Sequence, residues 1–236
     1  GDEDSAKLLI DPSPNSEEEY QRLLTTIQDR VPNAIFLTHH HPDHHQFSNQ
    51  LARELRVPII LSKDTLQRLT AKFGQQYFEN IELQTVSENL QVSSWHGSAV
   101  RVYEIPGHDS GHLGLAPDSM EWFLVGDLIQ GIGTVVIPSP EGDMATYLNT
   151  LKKVISLSPE VIIPSHGIPM RTTHRLEETL KHRLQRESQI LELHRSGKSR
   201  QEILSELYSD TDNRLHPAAM QNIESHLAKL LKENVL

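Results

Sequence analysis

A short apolar run that ends in a cluster of imidazoles and a carboxylate leaves a chain few folds to choose from. Asn33-Ala-Ile-Phe-Leu37 reads as a buried strand, and Thr38-His-His-His-Pro-Asp-His-His45 follows it at once. His39, His41, Asp43 and His44 thus offer three imidazoles and a carboxylate within six positions. A mixed N/O set of this kind suits zinc or a neighbouring first-row metal. Side chains two apart on extended backbone share a face, so His39 and His41 can converge on one ion. Asp43 and His44 must then turn elsewhere, which points to a second ion. A surface histidine run or a tag fragment would lack the Asp and would not follow an apolar strand.

The chain has 236 residues, enough for one domain or one large domain with a small appendage. It has no cysteine, which excludes disulfides and thiolate metal sites. No apolar run reaches the roughly 20 residues that span a bilayer, and no signal-peptide pattern opens the sequence. The expectation is a soluble cytoplasmic protein with no membrane partner. Net charge is −10 but uneven: residues 1–165 carry −11, and residues 166–236 carry +1. The acidic part repels polyanions at long range, although bound metal ions would reverse the sign locally.

Strand and helix signals alternate along the chain. Strands are predicted at Lys7–Ile10, 33–37, Val57–Leu61, Val100–Ile105, Glu121–Val125 and Val161–Ile163, the last ending at Pro164. Helices are predicted at Glu17–Asp29, near 48–55, and after Asp143 as N-cap. This alternation argues for α/β layers with the chemistry at strand ends. After Gly167 the pattern becomes helical. A long amphipathic helix over 172–195 closes at Ser196-Gly197, Ser199-Arg-Gln-Glu202 forms a capping box, and Pro217 suits the first turn of a third helix.

Three other segments put an acid or imidazole just beyond an apolar strand: Pro106-Gly-His108, Gly126-Asp127 and His166-Gly167. Together with His39-x-His41-x-Asp43-His44, their order resembles the pattern of the metallo-β-lactamase superfamily from about residue 8 to 170. The resemblance implies a four-layer αβ/βα sandwich with two metal ions, zinc or another first-row divalent metal. It implies that His39, His41 and His108 hold the first ion. Asp43, His44 and His166 would hold the second, and Asp127 would bridge both. Lys181–Ile190 and His216–Leu236 are similar to the winged-helix extension of the β-lactamase-like branch. The expected domains are therefore 1–170, catalytic, and 171–236, a small all-α winged-helix-like extension.

Three departures stand out. Only seven residues precede Leu8, where the family normally has several strands. The Leu8–Ile10 strand is therefore expected as a sheet edge, completed by a partner chain or by upstream residues of a longer polypeptide. His45-Gln46 stands where small residues usually follow the motif, and is expected to crowd the cleft or add a polar group to it. The absence of Cys argues against the antibiotic-hydrolysing branch that uses a Cys ligand.

The expected chemistry is hydrolysis of an ester or thioester-type small molecule by a hydroxide shared between the ions, with Asp43 and Asp127 as catalytic residues. No Gly-x-Ser-x-Gly elbow is present. One alternative is a metal-dependent endoribonuclease acting on single-stranded RNA through Arg175, Lys181, Arg183 and Arg186, although a solvated face is the safer reading of those residues. A second is a nucleic-acid-binding or homodimer-forming module with a degenerate catalytic domain. His40 and His45 are expected in solvent or behind the ligands, and His112 as a residue that orients a ligand, contacts substrate or makes a structural hydrogen bond. His96, His174, His182, His194, His216 and His226 are expected at the surface or at caps.

Overall fold

Apolar triplets bounded by turn residues build the first part of the chain. In the computed structural model, which describes residues 2–236, Gly1 lies outside the described residues. Strands β1 (Leu8–Ile10), β2 (Ala34–Phe36), β3 (Ile59–Leu61) and β4 (Leu83–Thr85) pair in that order as a parallel sheet. Parallel neighbours need a crossover, supplied by α1 (Glu17–Ile27), by α2 (Pro42–His45) with α3 (Ser48–Leu55), and by α4 (Lys63–Phe73). Ile35, Leu37, Ile59 and Leu61 pack with Tyr20, Leu51 and Leu69 on the helix side. Ala34, Phe36 and Ile60 point to the other face, against Val100, Val102, Leu113 and Leu115. Those last four belong to an antiparallel meander of β5 (Gln91–Trp95), β6 (Ser98–Glu104) and β7 (Leu113–Pro117). A sheet covered on both faces reads as unbroken apolar runs, which is what residues 34–37 and 59–61 show. As expected, β1 is the edge of its sheet.

Residues up to Glu104, with Gly111–Leu124, form one compact unit; Ile105–Ser110 and Val125–Leu236 form another. Strand β8 (Phe123–Gly126) carries the chain from the first into the second. The second unit holds α5 (Met144–Leu157), β9 (Val161–Pro164), β10 (Met170–Arg171), α6 (His174–Arg195), α7 (Arg200–Leu207) and α8 (His216–Lys232). Asp143 caps α5 as predicted, accepting from the Thr146 amide at 2.9 Å. Ser199 and Glu202 form the predicted capping box. Ile190, Ile203, Leu204, Ala219, Ile223 and Leu227 close a separate small core among α6, α7 and α8. Among the described residues, no helix is long and apolar enough to cross a membrane.

Several sequence readings need correction. Val161–Ile163 does not lie in the last strand, because β10 pairs back on β9 with Met170 opposite Ile162. A two-residue strand carries no periodicity to read. The loop expected after β2 contains the single turn α2, started by Pro42 at its first position. Arg183 is not on a solvated or RNA-facing surface. It is 2% exposed, donates to the Val135 carbonyl and lies over the Tyr147 ring. Arg186 likewise donates to the Leu207 carbonyl at 2.9 Å and stacks on Tyr208. His226 is fully buried on α8, 3.0 Å from Glu187 of α6, whose other oxygen takes Lys229 at 2.7 Å.

That last cluster makes the helical end sensitive to acid. Burial pushes the His226 imidazole below its ordinary pKa, against the pull of Glu187, with Arg183 and Lys229 adding to the lowering. Burial by itself would raise Glu187, but hydrogen bonds from His226 and Lys229 bring its carboxyl below the usual range. Both groups have depressed folded-state values. Their contributions are therefore present above the unfolded pKa values and are lost as pH falls below them. For His226 that loss begins below about pH 6.5, and for Glu187 below about pH 4.3. Amide protection of α8, corrected for the intrinsic exchange rate, should fall as pH drops from about 7 to about 5. His226→Gln, which removes the titration, should flatten that slope; an unchanged slope would assign the effect to other groups.

Candidate metal centre

In the first unit, the register of β1 on β2 pairs Ile10 with Phe36 and brings Asp11 alongside Thr38. Asp11 Oδ1 accepts from the Thr38 amide at 2.8 Å, and Oδ2 accepts from the Thr38 hydroxyl at 2.7 Å. The same Oδ2 lies 2.8 Å from His44 Nδ1. A carboxylate only accepts, so the His44 proton sits on Nδ1 and Nε2 keeps its lone pair. The Thr38 hydroxyl, its proton committed to Asp11, lies 2.9 Å from His39 Nδ1 and accepts from it. Asp11 therefore sets the tautomer of two imidazoles at once, directly for His44 and through Thr38 for His39. His39 Nε2 and His41 Nδ1 lie 3.0 Å apart. Asp43, on the first turn of α2, places Oδ2 at 3.7 Å from His44 Nε2. This unit thus gathers His39, His41, Asp43 and His44.

The second unit gathers the rest. Asp127 follows Gly126 at the end of β8, and His166 lies just past the end of β9; the Ser165 amide donates to the Gly126 carbonyl at 3.0 Å. Asp127 Oδ1 lies 3.5 Å from His166 Nε2, and Asp127 Oδ2 lies 3.8 Å from His108 Nε2. Each carboxylate oxygen faces a different imidazole, the arrangement a bridging ligand requires. His108 Nδ1 donates to the Val136 carbonyl at 2.7 Å, which leaves Nε2 as the ring's acceptor. Gly107 has φ +135°, and a Cβ there would lie 2.3 Å from Tyr147 Cα. Only glycine lets the chain pass so close to α5 and deliver His108.

The donor sets fit first-row divalent ions. Two ligands at 2.0–2.2 Å in tetrahedral geometry are about 3.3 Å apart. The separations within each set, 3.0, 3.5 and 3.8 Å, lie about that value. The orienting partner on Nδ1 of His39, His44 and His108 is the usual way proteins aim a metal-binding imidazole.

The structure decides between the alternatives left open for the other histidines. His40 and His45 are buried, which excludes the solvent alternative. His45 packs against Phe73 and Tyr77, with Nδ1 at 2.8 Å from the Tyr77 hydroxyl. Burial pushes its pKa down to about 4, so the ring is neutral at pH 7. It is part of the first unit's packing. His112 is 1% exposed, its ring centroid 4.9 Å from that of His39. Asp11 is the residue sequence reasoning missed. Its signal was the same as that of Asp127, an acid at a strand end, but the following Pro12 made it look like a turn residue. Asp11→Asn should weaken metal affinity by about 10–100-fold, the usual cost of losing such a partner. Chelator competition would measure it, and unchanged affinity would reduce Asp11 to a strand cap.

Comparison with known proteins identifies the family. The metallo-beta-lactamase superfamily model matches residues 2–166, and the beta-lactamase-associated winged-helix domain model matches residues 199–235. A Beta-lactamase-like protein 2 homolog of Drosophila melanogaster is 30% identical, covering 98% of this chain and 80% of that protein. A hydroxyacylglutathione hydrolase of Wigglesworthia glossinidia brevipalpis is 31% identical over 56% of this chain and 46% of its own length. Among solved structures, a beta-lactamase domain protein from Burkholderia ambifaria superposes with TM-score 0.78 at 20% identity, covering 97% of this chain and 78% of that one. A protein solved in a di-iron-bound form gives 0.57 at 24% identity, covering 72% and 85%. The chain belongs to the metallo-beta-lactamase superfamily of hydrolases, and joins that fold to the winged-helix domain associated with it.

Proposed function

We propose that this chain is a dinuclear, zinc-dependent hydrolase acting on an ester or thioester-type small molecule. The observation that carries the reading is Asp127, with one oxygen toward His108 and the other toward His166. In this reading His39, His41 and His108 hold one ion, Asp43, His44 and His166 hold the other, and Asp127 serves both. When bound, such ions lower the pKa of a shared water from about 15.7 to about 7 and polarise the oxygen under attack. The chain's own residues do the rest. Asp11, Thr38 and the Val136 carbonyl keep three imidazoles in the binding tautomer. Asp43, whose side chain is 57% exposed beside His44, is assigned to orient the attacking water. The water oxygen forms the new bond to the acyl carbon, the bond to the leaving oxygen or sulfur breaks, and the proton goes to the leaving group. No side-chain nucleophile is needed.

The substrate class draws on the relatives. Besides the hydroxyacylglutathione hydrolase, an atrochrysone carboxyl ACP thioesterase of Aspergillus fumigatus is 26% identical over 78% of this chain. The RNA alternative rested on the arginines of α6. Arg183 and Arg186 are taken up in bonds within the second unit, which favours the small-molecule reading. A degenerate catalytic domain is disfavoured because all seven ligand positions hold competent donors.

Purified protein should carry close to two first-row ions per chain, and it should turn over thioesters or lactones faster than phosphodiesters or RNA. Asp127→Ala should lose both ions and cut turnover by more than the about 100-fold seen for an outer partner. His166→Ala should lose one ion. Elemental analysis that finds no metal, with reconstitution failing too, would refute the reading. A clear preference for RNA at physiological salt would keep the metals and replace the substrate.

A further inference from the structure

Residues 133–137 run between the ligand Asp127 and α5, and the C-terminal helices hold them along one edge. Arg175 of α6 donates to the Gly133 carbonyl at 2.7 Å. Arg183 of α6 donates to the Val135 carbonyl. Asn222 of α8 accepts from the Ile137 amide at 3.0 Å. Val135, Ile137, Arg183 and Asn222 are all buried. These contacts fall on alternate residues, so the residue between them presents its carbonyl to the opposite edge. That carbonyl is Val136 O, which accepts from His108 Nδ1 at 2.7 Å. Nearby contacts stiffen the same frame. The Asp143 amide donates to the Gly107 carbonyl at 2.9 Å, and Lys232 of α8 pairs with the Asp143 carboxylate at 2.6 Å.

We propose that Arg183 and Asn222, through the Val135–Ile137 backbone, are positioning residues for His108, so that the C-terminal helices tune the metal centre instead of recruiting a macromolecule. The proposal rests on the reading of His108 as a ligand. Its physical basis is that a histidine ligand depends on the partner at its other ring nitrogen, and that partner here is a loop carbonyl with no secondary structure to hold it. Without the two anchors, the carbonyl loses its fixed direction, His108 can take the other tautomer, and Nε2 then carries the proton.

The test compares Asn222→Ala and Arg183→Lys with Arg186→Ala in the full chain. Arg186 ties α6 to the end of α7 at the Leu207 carbonyl, so its loss loosens the helical end without touching residues 133–137. Two readouts are needed: zinc affinity by chelator competition, and the imidazole nitrogen and N–H signals of His108 in the metal-free protein. Wild type should show His108 protonated at Nδ1. Asn222→Ala and Arg183→Lys should shift or broaden that signal and weaken one of two zinc sites by about 10–100-fold. Arg186→Ala should change neither, even if it lowers the melting temperature. Equal effects from all three variants would mean that the tail acts only through stability, and no effect from the first two would overturn the proposal. If Asn222→Ala fails to fold, Arg183→Lys reads the same link with the charge kept. If wild type binds no zinc, the ligand reading falls, and the His108 signal still reports whether the anchors set its tautomer.

Discussion

An imidazole binds a metal only when one ring nitrogen is deprotonated and correctly aimed, and in His39, His44 and His108 a partner at Nδ1 leaves Nε2 as the ring's acceptor. Asp11, the Thr38 hydroxyl and the Val136 carbonyl each occupy an Nδ1 position. None of them belongs to a side-chain set that a metal would touch. Asp11 is worth the most, because one carboxylate takes two donors from Thr38 and one from His44. Charge-assisted bonds of this kind contribute about 1.5–3 kcal/mol each when buried. Everything else in the first unit can be read as the support for this arrangement. The parallel pairing of β1 with β2 sets the height of Asp11, and the apolar layers on both faces hold β2 rigid.

The second unit solves the same problem with longer levers. Asp127 and His166 leave neighbouring strand ends, so their spacing follows from strand pairing. His108 has no such neighbour. Its placement depends on Gly107 passing against Tyr147 and on a loop carbonyl that the C-terminal helices steady from behind. Tyr147 adds a further tie, its hydroxyl donating to the Leu128 carbonyl at 2.8 Å, one residue past Asp127. A helical module that looks detachable by composition thus supplies polar groups to the framework of the site.

Buried charges also tie α6, α7 and α8 to one another. Burying an ionic cluster such as Glu187, His226 and Lys229 stabilises little relative to an apolar core of the same size. Arg183 and Arg186 bury guanidinium groups at a further cost in solvation, and each recovers it with a carbonyl and an aromatic face. What such groups provide is direction: each accepts or donates along one line, and for Arg183 that line ends on the Val135 carbonyl.

The cluster of His39, His41, Asp43 and His44 was legible in the sequence because candidate donors beside one strand crowd into one short segment. Asp127, His108 and His166 stood out because each follows an apolar run and lies next to glycine; the structure places Asp127 at the end of β8, His166 just past β9, and His108 in the loop that follows β6. Helix caps at Asp143 and Ser199 were legible because capping is local, decided within three residues. Strands β4, β5, β7 and β10 and helix α4 were not read. They are short or partly exposed, or they pack against partners distant in sequence, so their periodicity is weak. Asp11 could not be told from a turn residue, since its role depends on lying beside Thr38, 27 positions away, through the β1–β2 register. Arg183, Arg186 and His226 look like members of a solvated helix face, because a helix period shows which residues share a face and not what covers that face. The identity of the candidate donors was therefore set by local sequence. Their tautomers and aim were decided by tertiary structure, because the atoms that hold Nδ1 come from distant parts of the chain, one of them a backbone carbonyl that carries no residue-specific signature.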